Sequence, residues 1–141
     1  MGAERDEVLL LDTSAAVALV IEDHEAHAAT LDTVRGWRLG LAGHAWFETF
    51  SVLTRLPGPL RRSPAEVSNL LAHNFPATAF LAESTAAALG PELARLAISG
   101  GAVYDALVAA SARQHGRTLV SADERARTVY EAIGVDVRLV G

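Results

Sequence analysis

Four acidic side chains in this sequence are placed where chemistry can be built: Asp12, Glu48, Asp105 and Asp123. Asp12 closes the aliphatic run Val8 to Leu11, and Asp123 stands just past Thr118-Leu119-Val120. Glu48 falls on one polar stripe with His44, Ser51 and Arg55 if His44 to Leu56 is helical. Asp105 interrupts the apolar stretch GGAVYDALVAASA, and Gly101, Ala102, Ala109 and Ala112 are its neighbours at helical spacing. A carboxylate buried in such a helix needs a partner or a metal, or it takes up a proton. Small flanking side chains leave room for an ion or a substrate.

Carboxylates gathered in one pocket repel. Two unit charges about 4 Å apart cost roughly 4 kcal/mol at an effective dielectric near 20. A divalent cation removes that cost. With no cysteine in the chain and no clustered histidine, an all-oxygen donor set points to Mg²⁺ or Mn²⁺ rather than zinc. Each acid also has a plain structural reading. Asp12 suits a helix cap, Glu48 a solvent-facing helix residue, and Asp123 a cap for a helix beginning near Glu124.

The elements that must position these acids are legible in order. Short apolar runs at Val8 to Leu11, Arg38 to Ala42, Ala77 to Ala82, Thr118 to Val120 and Val135 to Val140 predict strands. Helices are predicted at Ala15 to Ile21, His24 to Val34, His44 to Leu56, Pro64 to about Phe75, Ser84 to Ile98 with a break or kink at Gly90-Pro91, Gly101 to Gly116, and Glu124 to Ile133. Ser63-Pro64-Ala65-Glu66 is a capping box with proline at the first helical position. Strands alternating with helices imply an α/β fold, three-layer α/β/α around a mostly parallel sheet. Ligands in such folds bind outside the carboxyl ends of the strands, where Asp12 and Asp123 are expected.

With 141 residues, one domain spanning 1–141 is the simplest organisation, and a chain of that length buries roughly 70% of its unfolded surface. Half the residues are hydrophobic, so a packed core is expected. The start, MGAERDEVLLLD, reads as neither a signal peptide nor a membrane span, so the protein is expected to be soluble and cytoplasmic. The net charge of −5 argues against a broad basic nucleic-acid surface. All 12 Lys/Arg positions are arginine, and the missing lysine excludes a P-loop and argues against a phospho-receiver.

The stretches VLLLDTSA, HAWFETFSVLTRLP, GGAVYDALVAASA and TLVSAD, in this order, resemble the successive motifs of PIN-domain ribonucleases, and most of all those of VapC toxins from bacterial toxin–antitoxin pairs. The resemblance covers nearly the whole chain. It implies that Asp12, Glu48, Asp105 and Asp123 are the catalytic, metal-holding acids, with Ser14 and Ser121 as supporting hydroxyls. It implies a Mg²⁺-dependent endoribonuclease in which the metal activates water, leaving a 5′-phosphate and a 3′-hydroxyl. RNA is then the substrate. A small cognate antitoxin is the partner, a homodimer the assembly, and a hetero-oligomer with antitoxin the inhibited form. Two alternatives stay open: a non-toxin PIN-type nuclease in RNA processing or on structured DNA, and an acidic-pocket binding or signalling module.

Other residues carry less. His24 and His27 have metal-ligand spacing, but with Glu22, Asp23 and Glu25 around them they read as a solvated helix face. His44 is one turn from Glu48. Trp46 and Phe47 read as core or dimer contacts, and Arg61 and Arg62 as solvated. Arg113, Arg117, Arg125 and Arg127 flank the two C-terminal acids and are placed to guide a phosphate backbone.

Overall fold

The computed structural model describes residues 7–141. Residues 1–6, half of the N-terminal stretch MGAERDEVLLLD, lie outside the described residues. Four parallel strands form one sheet in the order β2-β1-β3-β4: β1 (Val8–Leu11), β2 (Arg38–Leu41), β3 (Thr118–Ser121) and β4 (Val137–Leu139). The helices are α1 (Thr13–Val20), α2 (His27–Val34), α3 (His44–Thr54), α4 (Pro64–Asn74), α5 (Glu83–Arg95), α6 (Ala102–Gln114) and α7 (Arg127–Ile133).

β1 is central, and all four of its residues are buried because both faces of the sheet are covered. Its period of two sorts them. Leu10 joins a core with Leu119 and residues of α6 and α7, including Ala106, Ala109 and Tyr130. Leu9 and Leu11 join the opposite core with Leu41, Val120, Ala15, Leu53 and Leu71, from α1, α3 and α4 among others. The three layers expected from the sequence are thus present. Among the described residues, no helix is long and apolar enough to cross a membrane.

Several boundaries differ from expectation, among them the helix expected from Glu124, which begins at Arg127 after a 3₁₀ turn. Ala77 to Ala82 makes no strand of its own and contributes one parallel bridge, Ala42 to Ala79. It still lies along β2, with Ala77 N–H donating to Leu39 O at 2.9 Å and Ala79 N–H to Leu41 O at 3.2 Å. The ladder is broken because Leu41 N–H donates to the Thr78 hydroxyl, not to a backbone carbonyl. The helix expected from His24 begins instead at His27, after turns closed by His24 N–H to Ile21 O and His27 N–H to His24 O. The last strand shortens to three residues. Gly90-Pro91 does not end α5, which runs through to Arg95. Gly90 has no Cβ to meet the proline ring, and the helix is largely exposed there, so the carbonyl that Pro91 cannot serve faces water.

Two glycines permit the close approaches that shape the site. A Cβ on Gly43, whose φ is 49°, would strike the Ser111 hydroxyl of α6, so glycine here lets α3 and α6 cross closely. A Cβ on Gly40 of β2 would overlap the backbone of Ala77 and Thr78. Because backbone cannot swing aside as a side chain can, Gly40→Ala is expected to destabilise the protein by about 2 kcal/mol in urea unfolding. Wild-type stability in that variant would show that the 76–79 segment is not pinned against β2.

Candidate active site

The acids come together at the carboxyl edge of the sheet. A cavity of about 280 Å³ is lined by Asp12, Thr13, Ser14, Glu48, Asp105, Val108, Asp123 and Tyr130. Four elements deliver the four acids: the end of β1, the middle of α3, the first turn of α6, and the segment after β3.

Asp12 is the most tightly held. It is 3% exposed and caps α1, its Oδ1 accepting from Ala15 N–H at 2.9 Å and from the Ser14 hydroxyl at 2.6 Å. Its Oδ2 accepts from the Tyr130 hydroxyl of α7 at 2.8 Å. Burial raises the carboxyl's pKa, while the Ser121 and Ser14 hydroxyls, Ala15 N–H and Tyr130 pull it back. Both readings of Asp12 hold together: it is a cap, and it faces the cavity.

Ser14 and Ser121 hold the strand ends as well as the acids. Ser14 Oγ accepts from Ala122 N–H at 2.9 Å, and the fully buried Ser121 hydroxyl accepts from Asp123 N–H at 3.0 Å. The ends of β1 and β3 are thereby fixed to each other, and Asp123 with them. Asp123 Oδ1 accepts from Arg125 N–H at 3.0 Å, capping a short 3₁₀ turn at Glu124–Ala126. Glu48 is half-buried and accepts from the Thr13 hydroxyl at 3.3 Å.

Asp105 has no hydrogen-bond partner among the described residues. Its carboxyl is pushed up to about 6, first by burial and then by the charges of Glu48, Asp12 and Asp123. The other three acids are thus close enough for their charge to be felt at Asp105. The donor set is hard oxygen throughout, suited to Mg²⁺ or Mn²⁺. Among the described residues, no three acidic or imidazole groups converge tightly enough to cage an ion as they stand. That spacing fits a Mg²⁺ that keeps several waters and bonds few carboxylates directly, and it is the arrangement mutual repulsion favours without an ion.

The sequence did not single out Tyr130 or Thr13. Ala126, Tyr130 and Ile133 are buried at helical spacing, which is the signal that placed Tyr130 inside, and a buried tyrosine hydroxyl needs a partner. Other expectations need correction. Arg113 is no phosphate guide, because its guanidinium is bidentate to Glu92 of α5 at 2.8 and 2.9 Å and also donates to Ile133 O at 2.7 Å. Arg127 pairs with Glu131 on its own helix. His44 stacks on Tyr104, with centroids 5.1 Å apart, and makes no hydrogen bond to Glu48. His27 is not part of a solvated face, since its Nδ1–H donates to Ala18 O at 2.9 Å. A larger cavity, of about 320 Å³, is lined by Leu53, Leu56, Leu60 and Leu70 among others, and shares no residue with the acid cavity.

The raised Asp105 carboxyl has a stability signature in metal-free protein. The folded state holds its proton up to about pH 6, whereas an unfolded aspartate releases it near 3.8. Stability from this group is therefore lost as pH rises through that window, and the deficit is complete above it. Asp105→Asn in EDTA is expected to be more stable than wild type at pH 8, by about 1 kcal/mol once solvent screening is allowed for. The gain should vanish near pH 3.5. A variant no more stable at pH 8 would show that Asp105 does not feel the other acids.

The model of the PIN domain family matches residues 9–132. Ribonuclease VapC27 of Mycobacterium tuberculosis is 46% identical over 129 residues, covering 92% of this chain and 94% of the relative. Ribonuclease VapC40 of the same organism is 41% identical over 132 residues, covering 92% and 96%. A solved structure of FitAB bound to an IR36 DNA fragment superposes with a TM-score of 0.63 over 93% of this chain and 94% of its own; at 20% identity that likeness concerns the fold. Family model, relatives and architecture agree, and the chain belongs to the PIN-domain family, in its VapC branch.

Proposed function

We propose that this chain is a metal-dependent endoribonuclease and the toxin of a type II toxin–antitoxin pair, acting in the cytoplasm as a single nuclease domain over residues 1–141. The observation that carries the reading is the convergence of Asp12, Glu48, Asp105 and Asp123 from four separate elements on one cavity at the carboxyl edge of the sheet. The names of the relatives, both ribonucleases, agree with it.

Asp12, Glu48, Asp105 and Asp123 would hold Mg²⁺, or Mn²⁺ in its place, some of them through water. When bound, the ion supplies positive charge that offsets the charge building on the phosphate and lowers the pKa of water near it. The chain's own residues do the positioning. Asp12 is locked by three donors, so its orientation needs no ordering when substrate arrives. Thr13 steadies Glu48, and Ser121 steadies the backbone of Asp123. Asp105, without a hydrogen-bond partner, is the carboxylate free to turn toward an ion or a water. In-line displacement of the phosphodiester by water would leave a 5′-phosphate and a 3′-hydroxyl.

An acidic cavity of this kind also suits inhibition by a small antitoxin that inserts a basic side chain, and the active form would be a homodimer. The test is cleavage of mixed cellular RNA by purified protein. Discrete fragments are expected with Mg²⁺, with fragmentation lost in EDTA and reduced at least a hundredfold in Asp105→Asn. Full cleavage in EDTA, or in Asp105→Asn, would overturn the reading.

A further inference from the structure

A second cavity, of about 460 Å³, lies beside the acid cavity and has no role in the chemistry above. It shares Thr13, Ser14 and Asp123 with the acid cavity, so the two lie side by side. Its size falls in the range of small-molecule sites, roughly 300–1,000 Å³. Val17, Val52 and Ala122 give it an apolar wall. Two hydrogen-bond donors stand over that wall: His24 and Arg125.

His24 is set up to donate. The backbone N–H of Ala26 donates to its Nδ1 at 3.0 Å, so the neutral ring carries its proton on Nε2. Among the described residues Nε2–H has no acceptor. The ring is also held in place. His24 N–H donates to Ile21 O, His27 N–H donates to His24 O, and the His27 ring is tied to Ala18 O of α1. A donor fixed this firmly beside an apolar wall is the arrangement of a recognition site.

Arg125 lines the second cavity, two residues after Asp123, which lines both. Its Nε lies 3.4 Å from Asp123 Oδ1, and its side chain is 94% exposed. Its Nη groups have no partner among the described residues, which leaves the outer edge of the guanidinium fork open to phosphate. Glu25 lines the His24 end and repels phosphate, so a base rather than the backbone belongs there.

Resting on the ribonuclease reading of the acid cavity, we propose that this second cavity seats one nucleotide of the RNA next to the cut. His24 Nε2–H reads an acceptor on the base, and Arg125 grips the adjoining phosphate. His24 is then a specificity-determining residue, and Arg125 a backbone contact that carries no sequence information.

The experiment measures binding of labelled single-stranded oligoribonucleotides, differing at one position at a time, by fluorescence anisotropy in Mg²⁺, every protein carrying Asp105→Asn so that the RNA stays intact. Wild type, His24→Ala, His24→Gln and Arg125→Ala are compared, with thermal unfolding as the check on folding. Wild type is expected to prefer one base at one position. His24→Ala should flatten that preference, and His24→Gln, whose amide still donates, should restore part of it. Arg125→Ala should weaken all sequences alike, about tenfold, and lower the salt slope by about 1. Wild-type binding in both alanine variants, or no binding by wild type, overturns the inference. So does wild-type RNA binding combined with a lost response to an inhibitory protein, which would place a polypeptide in the cavity. Cleavage in Mg²⁺ is followed in parallel with Asp105 intact. Base-selective binding without cleavage sinks the ribonuclease reading and leaves the subsite standing. Cleavage with an unchanged sequence profile in His24→Ala does the reverse.

Discussion

The hydrogen bond from the Tyr130 hydroxyl to Asp12 Oδ2, 2.8 Å long, ties the last helix to the end of the first strand. The two residues are 118 positions apart, and both are almost fully buried. A carboxylate this deep is costly unless its oxygens are paired, and here donors from α1 and α7 meet it on both sides. The same contact closes the fold and aims the acid. α7 packs through Tyr130 and Ile133, and its tyrosine hydroxyl holds Asp12 Oδ2 in place. Burial pushes the Tyr130 hydroxyl's own pKa far up, so it stays a donor at any physiological pH.

Around that fixed acid the other three are held less firmly, and the difference is physical. Glu48 and Asp123 each keep a modest local partner, Thr13 and Arg125. Asp105 has none among the described residues, and burial with the neighbouring charges raises its pKa. The protein stores like charges in a small space, and among the described residues the exposed Arg125 is the one side chain paired with any of them as a cation. The arginines that could have neutralised the cavity are spent elsewhere, Arg113 on Glu92 and Arg127 on Glu131. An acidic cavity so built attracts cations first. RNA can approach it once that charge is met, which reconciles a net charge of −5 with a polyanionic substrate.

Much of this is legible in the sequence. Strong local signals survived intact: the run Val8 to Leu11, the capping box at Ser63, and the apolar helix around Asp105. Asp12, Asp105 and Asp123 stand out because charged residues inside or just beyond apolar runs are conspicuous, whereas Glu48, on a polar stripe, rests on the family resemblance. What the sequence hid depends on contacts between distant segments. Tyr130 was not singled out because its partner lies at the other end of the chain. The 77–82 segment looked like a strand by composition, and Thr78 broke its ladder with a side-chain acceptor. Arg113 looked like a phosphate guide because nothing local announces Glu92, 21 residues earlier and one helix away. His24 looked solvated because the turn that buries half of it, and fixes its proton, comes from backbone hydrogen bonds that charge patterning cannot report.

The central claim is that these four acids form a divalent-cation site anchored on Asp12. Calorimetric titration of Mn²⁺ into metal-free protein at pH 7.5 tests it without reference to any substrate. Saturable binding to wild type is predicted, weakened at least tenfold in Asp12→Asn while the variant stays folded. No binding at millimolar Mn²⁺, or equal binding by both proteins, would contradict it.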